Sequence, residues 1–354
     1  MSSPFAGDSI GADGVPPPTV SLALEGTSSV GEARRLAGTF AMRAGLGEAE
    51  RSNLAIVVTE LAGNAVKHGG GGEMIVRLIG GSPAGVEAIC IDSGPGIANI
   101  AEAMRDGHST TKTMGTGLGA ARRLSHRFEI HSLPGAGTAT LARMWAGAAP
   151  DQFGYEAGGV AVPVKGETEC GDAWAFVCRA QRAVVMLADG LGHGAQAAEA
   201  AKAAVRAFHV ASNRGAAEII TAMHGALRET RGAAVAVAEI DRARSEVRYA
   251  GVGNIAGLLV AGTAPRWMVS QNGIVGHQPR PVHETAYPWT SETAVVLHSD
   301  GIRNGWKPEG YPGLLRRDPA LATAVLYRDF GRGRDDSSAV ICRLGSPSTK
   351  ARAE

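Results

Sequence analysis

Between Val57 and Leu124 three short segments follow one another, VVTELAGNAVKHGG, IDSGPGIANI and GTGLGAARRL, and together they constrain the fold more than any other feature of the chain. On a helix, Glu60 and Asn64 stand four residues apart and share a face, which Lys67 and His68 continue as a polar stripe. Leu54, Val58, Leu61 and Ala65 fall on the adjacent stripe and can face a core. A carboxylate base beside an amide that can ligate Mg²⁺ suits phosphoryl transfer, which depends on positioning and charge neutralisation. Ile89 to Ile91 read as a buried strand, and Asp92 at its end can accept a hydrogen bond from an exocyclic amine such as that of adenine. Gly94 and Gly96 let the backbone turn sharply beside a ligand. After a Ser/Thr-rich stretch from Gly107 to Thr113, Gly115, Thr116, Gly117, Leu118 and Gly119 open a helix whose first N–H groups can attract phosphate.

Singly, each segment is an ordinary glycine turn or a solvated helix face. In this order they resemble the GHKL (Bergerat) ATP-binding fold, and no GxGxxG follows the first strand of a βαβ unit as a dinucleotide enzyme would require. The stretch DSGPGIANIAEAMRDGHSTTKTMGTGLGAARRLSHRFEIHS further resembles the RsbT-type switch kinases, which phosphorylate a serine or threonine on small STAS-domain proteins. A sensor histidine kinase is not expected, because no histidine-bearing dimerisation helix precedes the motif. The resemblance implies Glu60 as general base, Asn64 as Mg²⁺ ligand, Asp92 as adenine reader, and the Gly115–Gly119 lid on the phosphates of ATP. The lid carries fewer glycines than is common in that family.

Acidic residues recur at the ends of apolar β-rich runs in the second half. ECGDAW contributes Asp172, VVMLADGLGHG Asp189, VVLHSDGI Asp300, and GRGRDDSSAVI both Asp335 and Asp336. Clustered carboxylates without thiolate or imidazole partners favour hard cations such as Mg²⁺ or Mn²⁺ over zinc. An Asp-Gly pair after a strand is by itself a common turn signal. The order ADGLGHG, AGVGN, SDGI, DDSSAVI, however, resembles the SpoIIE and RsbX family of type 2C-like (PPM) metal-dependent protein phosphatases from Gly158 to Leu344. That resemblance implies that Asp189 bridges two metals, that the Gly190 carbonyl contributes, and that Asp172, Asp300 and Asp335 complete the set. Asp336 is a less definite neighbour, His193 reads as a bystander, and Ser337-Ser338 stand where relatives often carry DDMT or DDxT.

At 354 residues with 44% hydrophobic side chains, the chain is long enough for two cores. A net charge of +1 gives no electrostatic reason to expect nucleic acid or an anionic membrane as partner. No apolar run is long enough to span a bilayer, the N-terminus lacks signal-peptide character, and the expected compartment is the cytoplasm. Cys90, Cys170, Cys178 and Cys342 are expected as free thiols, and His131, His209, His224, His277 and His298 form no ligand pattern. The expected organisation is a tail over 1–18, a kinase-like α/β sandwich over 19–146, a linker over 147–158, an αββα phosphatase sandwich over 159–346 and a tail over 347–354. Ser29 and Glu32 have capping-box spacing, which predicts a helix from there through Phe40. The functional expectation is a bifunctional α/β (α+β) regulator that phosphorylates and dephosphorylates STAS-domain proteins in a stressosome or sigma-factor switch. The alternative is an ATP-binding module that sequesters a partner, with only the phosphatase active.

Overall fold

Met74, Val76, Val86, Ala88, Cys90, Ala142 and Met144 lie at alternate strand positions and bury one face of a five-stranded antiparallel sheet against two long helices. The computed structural model describes residues 19–105, 117–150, 154–262, 264–278 and 280–345, and these divide into two compact units after Pro150. In the first unit the order is β1 (Thr19–Leu24), α1 (Thr27–Arg43), α2 (Glu48–His68), β2 (Gly72–Ile79), β3 (Gly85–Asp92), a one-turn α3 (Ile100–Ala103), α4 (Leu118–Leu124), β4 (Arg127–Ser132) and β5 (Thr138–Trp145). The sheet runs β1-β2-β3-β5-β4. Ala33, Ala37, Phe40, Leu54, Val58 and Leu61 fill the helical layer.

Two local details differ from the sequence expectation. The helix α1 starts at Thr27, with Gly26 as its cap: the Ser29 hydroxyl donates to the Gly26 carbonyl at 2.6 Å, so Ser29 is the third helical residue and Glu32 takes no part in the cap. Thr19–Leu24 forms an edge strand, because its backbone pairs residue for residue with Gly72–Arg77.

The second unit contains β6 (Tyr155–Val162), β7 (Asp172–Arg179), β8 (Arg182–Gly190), α5 (Ala195–Ala211), α6 (Ala216–Ala226), β9 (Ala233–Asp241), β10 (Glu246–Val252), β11 (Ala256–Ala261), β12 (Ala264–Met268), β13 (Thr285–Pro288), β14 (Ala294–His298), α7 (Pro319–Phe330) and β15 (Ser337–Leu344). Tyr155 is buried and pairs with Leu344, so the last residues of the stretch read as linker are strand. One sheet has the order β13-β10-β9-β8-β7 and the other β12-β11-β14-β15-β6. Trp174, Phe176, Leu187 and Tyr249 from the first meet Leu259, Leu297 and Val340 from the second. The outer face of the first sheet buries Val184, Met186 and Val237 beneath Ala201, Ala204, Phe208, Ile219 and Met223 of α5 and α6. The helix α7 covers β6 and β15, where the missing side chain of Gly158 admits the backbone of Ala320. These four layers are the expected αββα sandwich.

One charged row crosses the first sheet. Glu87 on β3 is fully buried between Arg77 on β2 and Arg143 on β5, its direct cross-strand partners. Arg143 reaches it at 2.6 Å, and Arg77 also pairs with it. Burial pushes the Glu87 carboxyl up, but the two guanidinium groups outweigh burial and hold it at about 2. Its contribution to stability is therefore complete above about pH 4.5 and is lost as the pH falls towards 2. Glu87→Gln should destabilise the first unit by about 3 kcal/mol at neutral pH. The same variant should flatten the acid limb of its stability curve, and calorimetric unfolding between pH 2 and 7 measures both effects.

Candidate active sites: a nucleotide site and a carboxylate centre

In the first unit, α2 carries Glu60 and Asn64 half-buried on one face, with Lys67 and His68 exposed in its last turn. The helix ends against Asp92. A Cβ at Gly69 would stand 2.5 Å from the Cβ of Asp92, and one at Gly94 would stand 2.6 Å from the Cα of Gly69. Both positions therefore need glycine for the first and second segments to meet. Asp92 Oδ1 accepts hydrogen bonds from the backbone N–H of Gly94 at 2.9 Å and of Thr138 at 3.2 Å, which orients the carboxylate at the strand end. The loop beyond is pinned to the β4–β5 hairpin: Ile97 N–H donates to Ser132 Oγ at 2.8 Å and Gly135 N–H to the Pro95 carbonyl at 2.8 Å. Gly96 has φ of +70° and lies so close to the Leu133 carbonyl that no side chain fits.

The third segment reaches the same helix. Gly117 caps α4, whose buried Leu118, Gly119, Ala120 and Ala121 pack it on α2. Gly115, Thr116 and the Gly107–Thr113 stretch lie outside the described residues. The fold thus brings Glu60, Asn64, Lys67, His68, Asp92, Gly94, Gly96 and the start of α4 to one region around the end of α2.

In the second unit, strand pairing does the corresponding work. Asp172 opens β7 and Asp189 lies near the end of β8, directly opposite each other in register. The second sheet supplies Asp300 just beyond β14 and Asp335 and Asp336 just before β15. Burial first, then the charges of Asp172, Asp300, Asp335 and Asp336, push the Asp189 carboxyl up to about 9. Asp172 is pushed up to about 7, chiefly by burial and against hydrogen bonds from Ser299 and Ser338. These carboxylates therefore sense one another as a single crowded group.

Gly190 ends β8, and Gly301 lies in a turn closed by the Ile302 N–H on the Ser299 carbonyl at 3.2 Å. Neither Gly190 nor Gly301 has positive φ. A side chain at Gly190 would collide with the Ala197 carbonyl of α5, and one at Gly301 with the Asp336 carbonyl. Each holds its aspartate where a neighbouring element passes at backbone distance.

The structure also sorts the acids by depth. Asp189, Asp300 and Asp335 line a cavity of about 400 Å³ together with Asn254, Asn272 and Gly273. Asp172 and Asp336 lie buried beneath it. Asp336 accepts from the N–H groups of Val164 at 2.7 Å and Gly171 at 2.6 Å, so it clips the β6–β7 loop beneath the centre. Asp172 accepts from Ser338 Oγ at 2.7 Å. That contact explains the hydroxyl at the fourth position of the DDSS motif. Asn254, in the AGVGN segment, donates to Asp300 Oδ2 at 2.7 Å and was given no role by the sequence reading. His193 pairs with the Glu167 carboxylate at 2.7 Å and does not line the carboxylate cavity.

The donors are all oxygen, which fits a hard divalent cation. Among the described residues, no three acidic, imidazole or thiolate groups close round a point as a finished cage. Among the described residues no helix is long and apolar enough to cross a membrane, and all four cysteines are free.

Comparison with known proteins agrees with both halves. The histidine kinase-like ATPase domain family matches residues 25–144, and the stage II sporulation protein E (SpoIIE) family matches residues 179–343. The serine/threonine-protein kinase RsbT of Bacillus subtilis (strain 168) is 33% identical over 114 residues, covering 32% of this chain and 86% of RsbT. The chain belongs to the RsbT family through its first unit. Behind that RsbT-like kinase domain, which implies ATP, it carries a SpoIIE-type phosphatase domain, which implies divalent metal. A solved chain from a study of the bacterial stressosome as a modular system adapted to control secondary messenger signalling is 28% identical, with a TM-score of 0.50. It is matched over 53% of this chain and 99% of its own. RsbX in complex with magnesium is 17% identical over 55% of this chain and 98% of its own, with a TM-score of 0.47.

Removal of the hydroxyl beneath the centre tests its construction. Ser338→Ala should weaken divalent-cation binding about tenfold, as loss of a group that orients a ligand does. Ser338→Thr should restore it, and calorimetric titration with Mn²⁺ distinguishes the two.

Proposed function

We propose that this chain is a bifunctional partner-switching regulator. Its first domain transfers phosphate from ATP to a serine or threonine of STAS-domain proteins, and its second removes phosphate from such proteins, in a stressosome or sigma-factor pathway of the cytoplasm. The observation that carries the phosphatase half is the convergence of Asp172, Asp189, Asp300 and Asp335 from two sheets onto one crowded centre. The kinase half is supported by the abutment of α2, bearing Glu60 and Asn64, on Asp92, and by the identity to RsbT. The likeness to a stressosome chain supports the pathway.

In the kinase reaction Glu60 takes the proton from the attacking hydroxyl, Asn64 holds Mg²⁺, and Asp92 accepts from the adenine amine. Lys67, His68, Gly94, Gly96 and the Gly115–Gly119 segment, with Thr116 and Leu118, surround the nucleotide. Placement supplies most of such a rate, because little covalent chemistry falls to the protein. In the phosphatase, bound Mg²⁺ or Mn²⁺ supplies a nucleophilic water at neutral pH and neutralises the phosphate dianion. Asp189, Asp172, Asp300, Asp335 and the Gly190 carbonyl would hold the ions at the cavity, with Asp189 shared between them. Asn254 keeps the Asp300 carboxylate aimed at that cavity.

Intact-mass spectrometry of a STAS-domain protein incubated with the full chain tests both halves. ATP and Mg²⁺ should add one phosphate, and Mn²⁺ after removal of ATP should take it off. Glu60→Ala should lower transfer at least a hundredfold while ATP still binds. Asp300→Asn should abolish removal while transfer continues. Undiminished transfer by Glu60→Ala would leave the domain without its general base. Absence of transfer by the wild type, with tight binding of the STAS protein, would favour a sequestering module.

A further inference from the structure

A second cavity, of about 600 Å³, opens directly beside the carboxylate cavity, and Asn272, Gly273 and Ile274 belong to the walls of both. It lies between α6 and the segment that joins β12 to β13. Its floor is apolar, with Ile220, Ile274 and Val282, and its rim carries the exposed Arg228 and Arg280. No carboxylate lines it, and neither arginine has an ion-pair partner among the described residues. The neighbouring centre has the opposite character, with Asp189, Asp300 and Asp335 on its wall.

The groove is built rather than incidental. Gly276 N–H donates to His224 Nδ1 at 3.1 Å, which fixes that nitrogen as the acceptor and leaves the proton on Nε2. His224 Nε2 is buried and has no hydrogen-bond partner among the described residues. His277 Nε2 donates to the Arg231 carbonyl at 3.0 Å, and the Gln271 side chain bridges the Pro281 carbonyl and the His283 N–H. The first bond ties the β12–β13 segment to α6, the second ties it to the loop before β9, and the Gln271 bonds brace it internally.

We infer that this groove is the docking subsite for the segment of phosphoprotein substrate flanking the phosphorylated residue, and that it selects a segment bearing an acidic and an apolar side chain. The inference rests on the phosphatase reading of the adjoining centre. An acidic side chain meets Arg228 and Arg280, neither of which has an ion-pair partner among the described residues. An apolar side chain covers the half-buried Ile274 and Val282. The shared wall at Asn272–Ile274 means that a chain lying in the groove delivers its phosphorylated neighbour to the carboxylate cavity without leaving the surface. Ion pairing at a rim mainly governs capture of the substrate, so the selection should appear in KM and leave kcat nearly unchanged.

The test uses the full chain with Mn²⁺ and four substrates. These are para-nitrophenyl phosphate, which is too small to reach the groove, and three phosphoserine peptides of equal length. One peptide has Glu and Leu before the phosphoserine, one has them after it, and the third has Ala and Ser in their places. The inference predicts a KM about tenfold lower for one of the two acidic peptides than for the neutral one. It predicts further that the double variant Arg228→Glu with Arg280→Glu loses this preference and hydrolyses para-nitrophenyl phosphate within twofold of wild type. Both arginines are exposed, so their replacement leaves the core untouched. Equal KM values for all three peptides on an active wild type would overturn the groove and spare the phosphatase. A preference that survives the double variant would do the same. Absence of turnover of every substrate, para-nitrophenyl phosphate included, would overturn the phosphatase reading and the inference with it.

Discussion

The repulsion among aspartates at one end of the second sandwich is the constraint on which the rest of that domain is arranged. Two pairs of strands on different sheets must end in register for Asp172 and Asp189 to face Asp300 and Asp335. Such a group is costly in a folded protein unless positive charge is brought to it. The surroundings only reduce that cost: Ser338 donates to Asp172, and the backbone N–H groups of Val164 and Gly171 satisfy Asp336. The tight backbone approaches at Gly190 and Gly301 keep the acids from relaxing apart. A centre held this way is poised for divalent cations, and the chemistry of phosphate ester hydrolysis is what such a centre does well.

The first domain assembles its site by close backbone approach. Glycines at 69 and 94 allow the end of α2 to rest on Asp92, so groups far apart in sequence occupy one region. Rigidity comes instead from the sheet beneath, where Glu87 is locked between Arg77 and Arg143. The position of each group is set by backbone geometry, which suits a reaction governed by placement.

Much of this was legible in the sequence because periodicity and punctuation agree. The four-residue spacing of Glu60 and Asn64 and the apolar runs ending in aspartate each carry a local signature that tertiary packing then uses. Other parts had no such signature. The edge strand Thr19–Leu24 and the short β13 at Thr285–Pro288 are strands because a partner offers hydrogen bonds, which a single segment cannot announce. Gly26 caps α1 through Ser29, three residues earlier than the Ser29–Glu32 spacing suggests, since two overlapping cap patterns are compatible with the same residues. The division of the acids into cavity wall and buried floor depends on registers between distant strands. The roles of Ser338 and Asn254 follow from contacts made 166 and 46 residues away in the chain.

The most direct test of the account is calorimetric titration of the full chain with Mn²⁺, comparing wild type with Asp189→Asn. Asp189 is the residue on which the charges of both sheets converge, so the account predicts saturable binding to the wild type and its loss, by at least a hundredfold in affinity, in the variant. Unchanged binding in a folded Asp189→Asn protein would mean that the acids gather for another reason, and the carboxylate centre would no longer stand as the catalytic core of the second domain.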